Sequence, residues 1–521
     1  MKKTLALVLA MVLTLGCFAF ASAEEKPTYT FTLLRRLFDI NPDGTLCQET
    51  WEAMMEEYIG AELEFIWDDV PNDYNDKLGT YLASGDWADA FLMSNTDYAS
   101  AFDDYGSQGM FANIKDYLGE DSYYMQYLAS NKANELEVTS PDGGIYRFGV
   151  GMVSYADNGT QVAWTVRADI FEENGIAIPD SMEGIYEAAK QLKEIYPDSY
   201  PVIIGYGETE RWFNLYNSSE TIMFDGEKYV FGPRANAEDN KAVLEYLHTL
   251  YAEELMDPEY ITDGDENFSA KFANGNSFIN SWHWASGDIN STGDTKWVMI
   301  AEPKTLDGEM GYRACDHYVG KTLSEGTGTI VNANAENIDI LMKIIDYQYS
   351  DEMIELTNWG IEGVTFYKDE NGEKWYTDEI MNAENPQLAL GQYGVNQSMC
   401  CRSGILYLPQ ENDAAMKLCY NNPYYYNGEY GATNCWSFST IVFDEHANRM
   451  AIKPASYAFT DEQHEDASVN LTALNTFVSE QYAKFISGDR SLDEYDAFLE
   501  EMNNYGDIDL VESIYNECIA K

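Results

Sequence analysis

Short apolar runs alternate with amphipathic stretches from residue 29 onward, and the alternation carries the first structural expectation. Tyr29 to Leu34 reads as a strand and Cys47 to Tyr58 as a helix with Trp51, Met54, Met55 and Tyr58 on its apolar side. Ala61 to Trp67 is a second strand, Tyr74 to Ala83 a second helix and Ala88 to Met93 a third strand. A βαβαβ order of this kind predicts a parallel sheet covered by helices. The pattern restarts with the strand Gln161 to Val166 and the helix Asp180 to Ile195, where Ile185, Ala188, Ala189, Leu192 and Ile195 recur at helical spacing. Pro201 to Gly205 predicts a buried strand and Asn240 to Leu255 a helix. Asp225-Gly226 and Asn371-Gly372 signal hairpins. Near the end Leu471, Leu474, Phe477, Val478, Phe485 and Ile486 form one stripe stopped by Gly488, and Ser491 with Glu494 predicts a capping box ahead of Tyr495. Two α/β units without a flexible linker imply two lobes, with a solute cleft where the carboxyl ends of their strands face each other.

Composition narrows the class. In 521 residues there are 31 basic and 89 acidic side chains, 45% hydrophobic and 14% aromatic residues. The aromatic content excludes a disordered acidic chain. The net charge of −58 excludes nucleic acid as a partner and argues against docking on anionic lipid. An anionic polymer would require the few cations to converge in one cleft.

The start of the chain reads as an address. Met1-Lys2-Lys3, an apolar run from Leu5 to Phe20, and Ala21-Ser22-Ala23 before Glu24 make residues 1–23 a secretory signal peptide. Its removal takes two lysines and no acid, leaving 29 basic against 89 acidic residues, or −60. Gly16-Cys17 offers a second route, acylation of Cys17 and tethering at the outer leaflet, although Thr14 fits a lipobox poorly. The expected location is therefore outside the membrane, secreted or periplasmic, or lipid-anchored through Cys17. Seven further cysteines, Cys47, Cys315, Cys400, Cys401, Cys419, Cys435 and Cys518, form neither a disulfide framework nor a CxxC zinc motif.

Catalytic signatures are missing. No GxSxG, HExxH, P-loop or GxGxxG occurs, and Cys315 stands where a P-loop ending in Gly320-Lys321-Thr322 needs its first glycine. His248 reads as a surface or core residue of a helix. Asp263-Gly-Asp265-Glu-Asn267 opens like an EF-hand loop, but Phe268 and Asn274 occupy its sixth and twelfth positions, so no metal or cofactor is expected. Aromatic residues are the stronger lead, because sugars pack flat C–H faces on rings while their hydroxyls seek polar neighbours. Trp164, Trp212, Trp282, Trp284, Trp359 and Trp436 are the candidate platforms, each weighed against ordinary core packing. Trp282-His283-Trp284, amid small polar residues, is the least core-like group. The candidate polar partners are Arg36, Ser94, Asn95, Arg167 and His283. Ser94 and Asn95 follow the third strand, and Arg36 and Arg167 end strands, where the competing reading is a structural ion pair.

Several segments, in order, resemble one family. Trp51-Glu-Ala-Met-Met-Glu-Glu-Tyr58, then Tyr74-Asn-Asp-Lys-Leu78 and Leu82-Ala-Ser-Gly-Asp-Trp-Ala-Asp-Ala-Phe91 resemble the first lobe of family 1 extracellular solute-binding proteins, the receptors of ABC importers. Val166-Arg-Ala-Asp-Ile-Phe-Glu-Glu-Asn-Gly175, the stretch Phe268 to Trp284, Asn358-Trp-Gly-Ile-Glu-Gly363 and Lys484-Phe-Ile-Ser-Gly488 resemble later parts of its long, lipoprotein-like, carbohydrate-binding branch. The calcium loop of many long-branch members is replaced here by Tyr196-Pro-Asp-Ser-Tyr-Pro201.

The resemblance implies an α/β, two-lobed, periplasmic-binding-protein-like fold of the class II type with the ligand cleft between lobes. The first lobe is expected over 24–155 and about 315–395, the second over 156–314 and about 396–521. The implied function is monomeric, non-enzymatic capture of an oligosaccharide for ABC permease subunits. An oligopeptide or other non-sugar receptor on the same fold is the alternative, followed by a secreted glycoside hydrolase and a surface adhesion protein.

Overall fold

The computed structural model describes residues 26–36, 46–70, 74–85, 87–93, 101–153, 164–204, 209–261, 270–271, 275–281, 297–300, 302–309, 322–395, 410–411, 414, 417–418, 426–427, 431–432 and 459–519. Ten strands build its two main sheets. In chain order they are β1 (Thr28–Arg36), β2 (Glu62–Val70), β3 (Ala90–Met93), β4 (Phe148–Val153), β5 (Trp164–Arg167), β6 (Val202–Ile203), β7 (Ile279–Asn280), β8 (Trp297–Ile300), β9 (Thr322–Val331) and β10 (Gln410–Glu411). The first sheet runs β10-β4-β9-β3-β1-β2 and the second β8-β5-β7-β6.

The predicted βαβαβ unit is present. β1 pairs in parallel with both β2 and β3, and the connecting helices are α1 (Leu46–Ile59) and α2 (Tyr74–Ser84). Phe31, Leu33 and Leu34 of β1 are fully buried, as expected for a strand covered on both faces. α1 buries Cys47, Trp51 and Met55, one per turn. Tyr58, expected on that stripe, is 42% exposed and stacks on Tyr347 with ring centroids 4.0 Å apart. β9 is antiparallel to both β3 and β4.

The second sheet belongs to a separate core. α3 (Met182–Ile195) turns Ile185, Ala188, Ala189 and Leu192 inward, and Ser181 caps its start by accepting from the Gly184 N–H. Ile195, at the last turn, is exposed. Two helices meet in this core, α5 (Ala237–Ala252) and the 27-residue α6 (Asp461–Ser487), following the short α4 (Glu210–Asn214). Glu254 adopts φ 54°, so α5 stops short of Leu255, which folds back and donates its N–H to the Leu250 carbonyl. Leu474, Phe477, Val478, Phe485 and Ile486 of α6 are buried as their spacing predicts, and Gly488 ends the helix at φ 84°. The expected hairpins also form, joining Ile222–Phe224 to Tyr229–Phe231 and Phe366–Lys368 to Lys374–Tyr376.

One local expectation changes. Ser491 caps a single 3₁₀ turn by accepting from the Asp493 N–H, while the Glu494 carboxylate goes to Arg490. The reciprocal capping box lies instead at Thr460 and Gln463, at the start of α6. Late in the chain β10 pairs in parallel with β4 of the first sheet, and Ala414 and Leu418 are buried in the first core.

Candidate functional site

The second sheet gathers several chain segments at one edge. Trp164 opens β5 opposite Ile300, the end of β8, and Thr165 lies opposite Asn280, the end of β7. β6 is parallel to β7, pairing Ile203 with Asn280, so it ends at the same edge. Met256 bridges Val202 in parallel on the outer side, and the chain runs on from there to Tyr260. Trp164, Ile203, Asn280 and Ile300 thus share the carboxyl edge of three strands, the edge at which open α/β sheets present their ligand-binding loops.

α4 supplies the side chains over this edge. Its Trp212 meets Trp164 edge-on, with centroids 4.5 Å apart and an interplanar angle of 78°, and lies 5.5 Å from the Tyr246 ring. Both indoles are fully buried. Neither Trp164 Nε1 nor Trp212 Nε1 has a hydrogen-bond partner, and the same holds for the Tyr260 hydroxyl and Ser281 Oγ. A buried donor without a partner costs about 1–3 kcal/mol. Orphaned atoms also occur in the first core, as at Trp51 Nε1 and Tyr127 Oη.

Two carboxylates complete the edge. The Glu220 N–H donates to Glu210 Oε2 at 2.7 Å, and Thr209 Oγ1 donates to Glu220 Oε2 at 3.2 Å. Burial, then the neighbouring charge of Glu210, pushes the Glu220 carboxyl up to about 8 against the opposing Thr209 bond. The Tyr260 phenol is raised by burial and then by the field of Glu220, and Tyr482 by burial, by Tyr495 and by both glutamates. Two carboxylates and two tyrosines therefore sit close enough to feel one another's charge beside the buried edge.

The candidates named from sequence separate into three groups. Trp164 and Trp212 are brought together, but as mutually packed rings whose faces are covered; what they offer is N–H. Trp359 lies in the first core against Tyr376 (4.9 Å) and Phe366 (5.8 Å), so it is core packing and not part of this edge. Arg167 takes the structural reading. Its Nε and Nη2 donate to Asp169 at 2.8 and 2.7 Å, so the fork is occupied. Arg36 ends β1 opposite Val70. Ser94, Asn95, Trp282, His283, Trp284 and Trp436 lie outside the described residues, as does the Asp263–Asn267 stretch.

Sequence reading missed Glu210, Glu220, Tyr260 and Ser281. Among 89 acids nothing marks Glu220, because its distinction is the company it keeps after folding. His248 is structural: its Nδ1 lies 2.9 Å from the Ile486 carbonyl near the end of α6. No group of three or more His, Cys, Asp or Glu among the described residues is placed to hold a metal.

The sequence model of the family described as bacterial extracellular solute-binding protein matches residues 44–355. Lipoprotein LipO of Bacillus subtilis (strain 168) is 25% identical over 260 residues, 49% of this chain and 48% of LipO. The polygalacturonan/rhamnogalacturonan-binding protein YtcQ of the same strain is 22% identical over 332 residues, 61% of this chain and 63% of YtcQ. The fructooligosaccharide ABC transporter substrate-binding protein FusA of Streptococcus pneumoniae serotype 4 is 21% identical over 362 residues, 65% of this chain and 64% of FusA. The chain thus spans between about half and just under two thirds of these curated relatives. The solved structure of S. pneumoniae FusA in complex with kestose superposes with a TM-score of 0.65 at 15% identity, covering 94% of this chain and 99% of that one. That likeness establishes the two-lobed α/β fold.

Proposed function

The chain belongs to the bacterial extracellular solute-binding proteins, and from that premise we propose that it captures an oligosaccharide for an ABC importer by closing its lobes on the solute. One observation carries the sugar reading: orphaned donors and carboxylates collect at the carboxyl edge of the second sheet. A sugar hydroxyl both donates and accepts, so a ring of hydroxyls can satisfy the indole N–H groups and the glutamate oxygens together. Trp164 and Trp212 would act through their N–H groups, and Trp282 and Trp284 would supply the ring faces, with His283, Ser94, Asn95, Arg36 and Trp436 as further contacts. No step of bond making is assigned, and the partners would be permease subunits that recognise the closed form of a monomer.

The address signals complete the proposal. Residues 1–23 would be cleaved after Ala23, leaving the mature chain outside the membrane, with acylation of Cys17 as the other route. That one relative is named a lipoprotein supports keeping this second route in view. Among the described residues no helix is long and apolar enough to cross a membrane. The lobes would divide as their cores do, the first from residues 24–155 and about 315–418, the second from the remainder.

Thermal unfolding of the mature chain against fructooligosaccharides, other oligosaccharides and peptides tests the proposal. A solute at about 100 times its Kd adds about 2.7 kcal/mol of stability. A rise with one class of sugar is the expected outcome. A rise with peptides alone would transfer the chain to the oligopeptide-receptor alternative, and silence with every sugar would remove the carbohydrate reading.

A further inference from the structure

A groove of about 660 Å³ opens on the second lobe between Tyr216, the hairpin turn Asp225-Gly226-Glu227, and Asn236 and Asp239 at the head of α5. Resting on the oligosaccharide reading, we propose that this groove is a glycosyl-binding subsite, holding units of a solute that extends past the cleft. Its volume lies within the range of about 300–1,000 Å³ usual for small-molecule sites. The elements around it fix its position. Tyr246, midway along α5, has its ring 5.5 Å from Trp212 at the carboxyl edge of the second sheet. Asp239 lies nearer the head of that helix, about 10 Å further along its axis. Tyr216 follows α4, which carries Trp212, and its hydroxyl accepts from the Leu306 N–H at 3.1 Å. Leu306 belongs to the segment after β8, and β8 ends on the same edge. The groove therefore continues outward from the edge that faces the cleft.

The lining suits a polyol. Met223 and Val230, both buried, contribute apolar surface on which the C–H face of a sugar packs. The Asp239 carboxyl is raised by burial, against the bond from the Asn236 side chain, and then by Asp307 and Glu238. The Tyr216 phenol is raised by burial, against the Leu306 N–H, and then by Asp307 and Asp239, so it sits beside that carboxyl. Having accepted from Leu306, the phenol keeps its own proton to give. Asp225 Oδ1 accepts from the Glu227 and Lys228 N–H groups, both at 2.8 Å, which fixes the turn with Glu227 exposed at the rim. Among the described residues no lysine or arginine lines the groove, and Arg234, next to Ala235, is engaged by Asp509 at 2.7 Å and Glu512 at 2.8 Å. Sugar hydroxyls can donate to the carboxylates, accept from the phenol and do either with the amides of Asn217 and Asn236. An apolar ligand would strip water from these groups without replacing its bonds. An organic cation would use the carboxylates alone and leave the apolar strip and the amides unmatched.

Titration calorimetry of the mature chain against tri- and hexasaccharides of the fructo-, malto-, galacto- and xylo- series provides the test. Within a series that binds, the hexasaccharide should bind at least about tenfold tighter than the trisaccharide. Ala235→Trp, which fills the groove from an exposed position of its lining, should abolish that gain. Trisaccharide affinity should stay within about twofold of the parent, as for a site remote from the substitution. Should Ala235→Trp fail to fold, Ala235→Leu should reduce the gain in the same direction. The double variant Glu227→Gln/Asp239→Asn removes two charges but keeps groups that bond hydroxyls, and should keep most of the gain. A parent without any gain from length would overturn the subsite while leaving the receptor reading intact. So would a gain that survives in a folded groove-filling variant, or an equal loss for both chain lengths. Spermidine binding that Glu227→Gln/Asp239→Asn abolishes, with the sugar gain untouched by Ala235→Trp, would give the groove to organic cations instead. Silence with every series would defeat the receptor reading, and the subsite with it.

Discussion

Glu220 carries the clearest consequence at the scale of a single residue. Its carboxyl is raised above the ordinary carboxylate range, to about 8, so between about pH 4.5 and 8 the folded chain holds a proton that the unfolded chain has released. Stability contributed by this group therefore falls as pH rises through that window. Glu220→Gln should melt with the parent at pH 5 and above it at pH 9, by about 1–3 kcal/mol for an uncompensated buried group. Melting curves at the two pH values decide it, and equal midpoints at pH 9 would show that the carboxylate is solvated there. Nothing near Glu220 in sequence announces this. Glu210 lies ten positions back, and Tyr260 and Tyr482 come from other elements. The tryptophans teach the same point in reverse. Their number was visible in the sequence, but the covered faces of Trp164 and Trp212 were not, because burial depends on what the rest of the chain packs against them.

The end of α6 shows what element-scale reading can reach. Gly488 was legible as a helix stop, since an apolar stripe ending at glycine needs the left-handed turn that glycine adopts at little cost. The structure gives it φ 84° and places a would-be Cβ 2.9 Å from His248 Cε1. Gly488→Ala should cost about 1–2 kcal/mol for the left-handed backbone and also disturb the His248 contact with the Ile486 carbonyl. A urea midpoint lowered with an unchanged slope is the expected reading; an unshifted midpoint would mean that the cap rearranges freely. Capping at Ser491 was less legible. The Ser-x-x-Glu spacing is necessary for a reciprocal box, yet Arg490 competes for the glutamate and its fork also engages Glu501 at 2.9 and 3.0 Å.

Across the whole molecule, two buried clusters with no member in common hold the lobes. Leu474 is fully buried in the second, against residues drawn from both ends of that lobe's sequence. Leu474→Ala should remove about 2–5 kcal/mol from that lobe while the first keeps its stability within about 0.5 kcal/mol. Calorimetry without solute should then resolve two transitions, of which only one moves. A single transition displaced as a unit would show that the lobes unfold together.

The order of elements, the parallel start of the first sheet, the hairpins and the stop of α6 followed from the sequence alone. Each depends on residues within a few turns or a tight loop of one another, and local periodicity reports them. The family could also be recognised from ordered segments along the chain. Which indole faces are covered, and which carboxylate is buried beside another, were decided only by the tertiary structure. Those properties arise from burial and from Coulomb interactions between side chains far apart in sequence, and no local pattern encodes them.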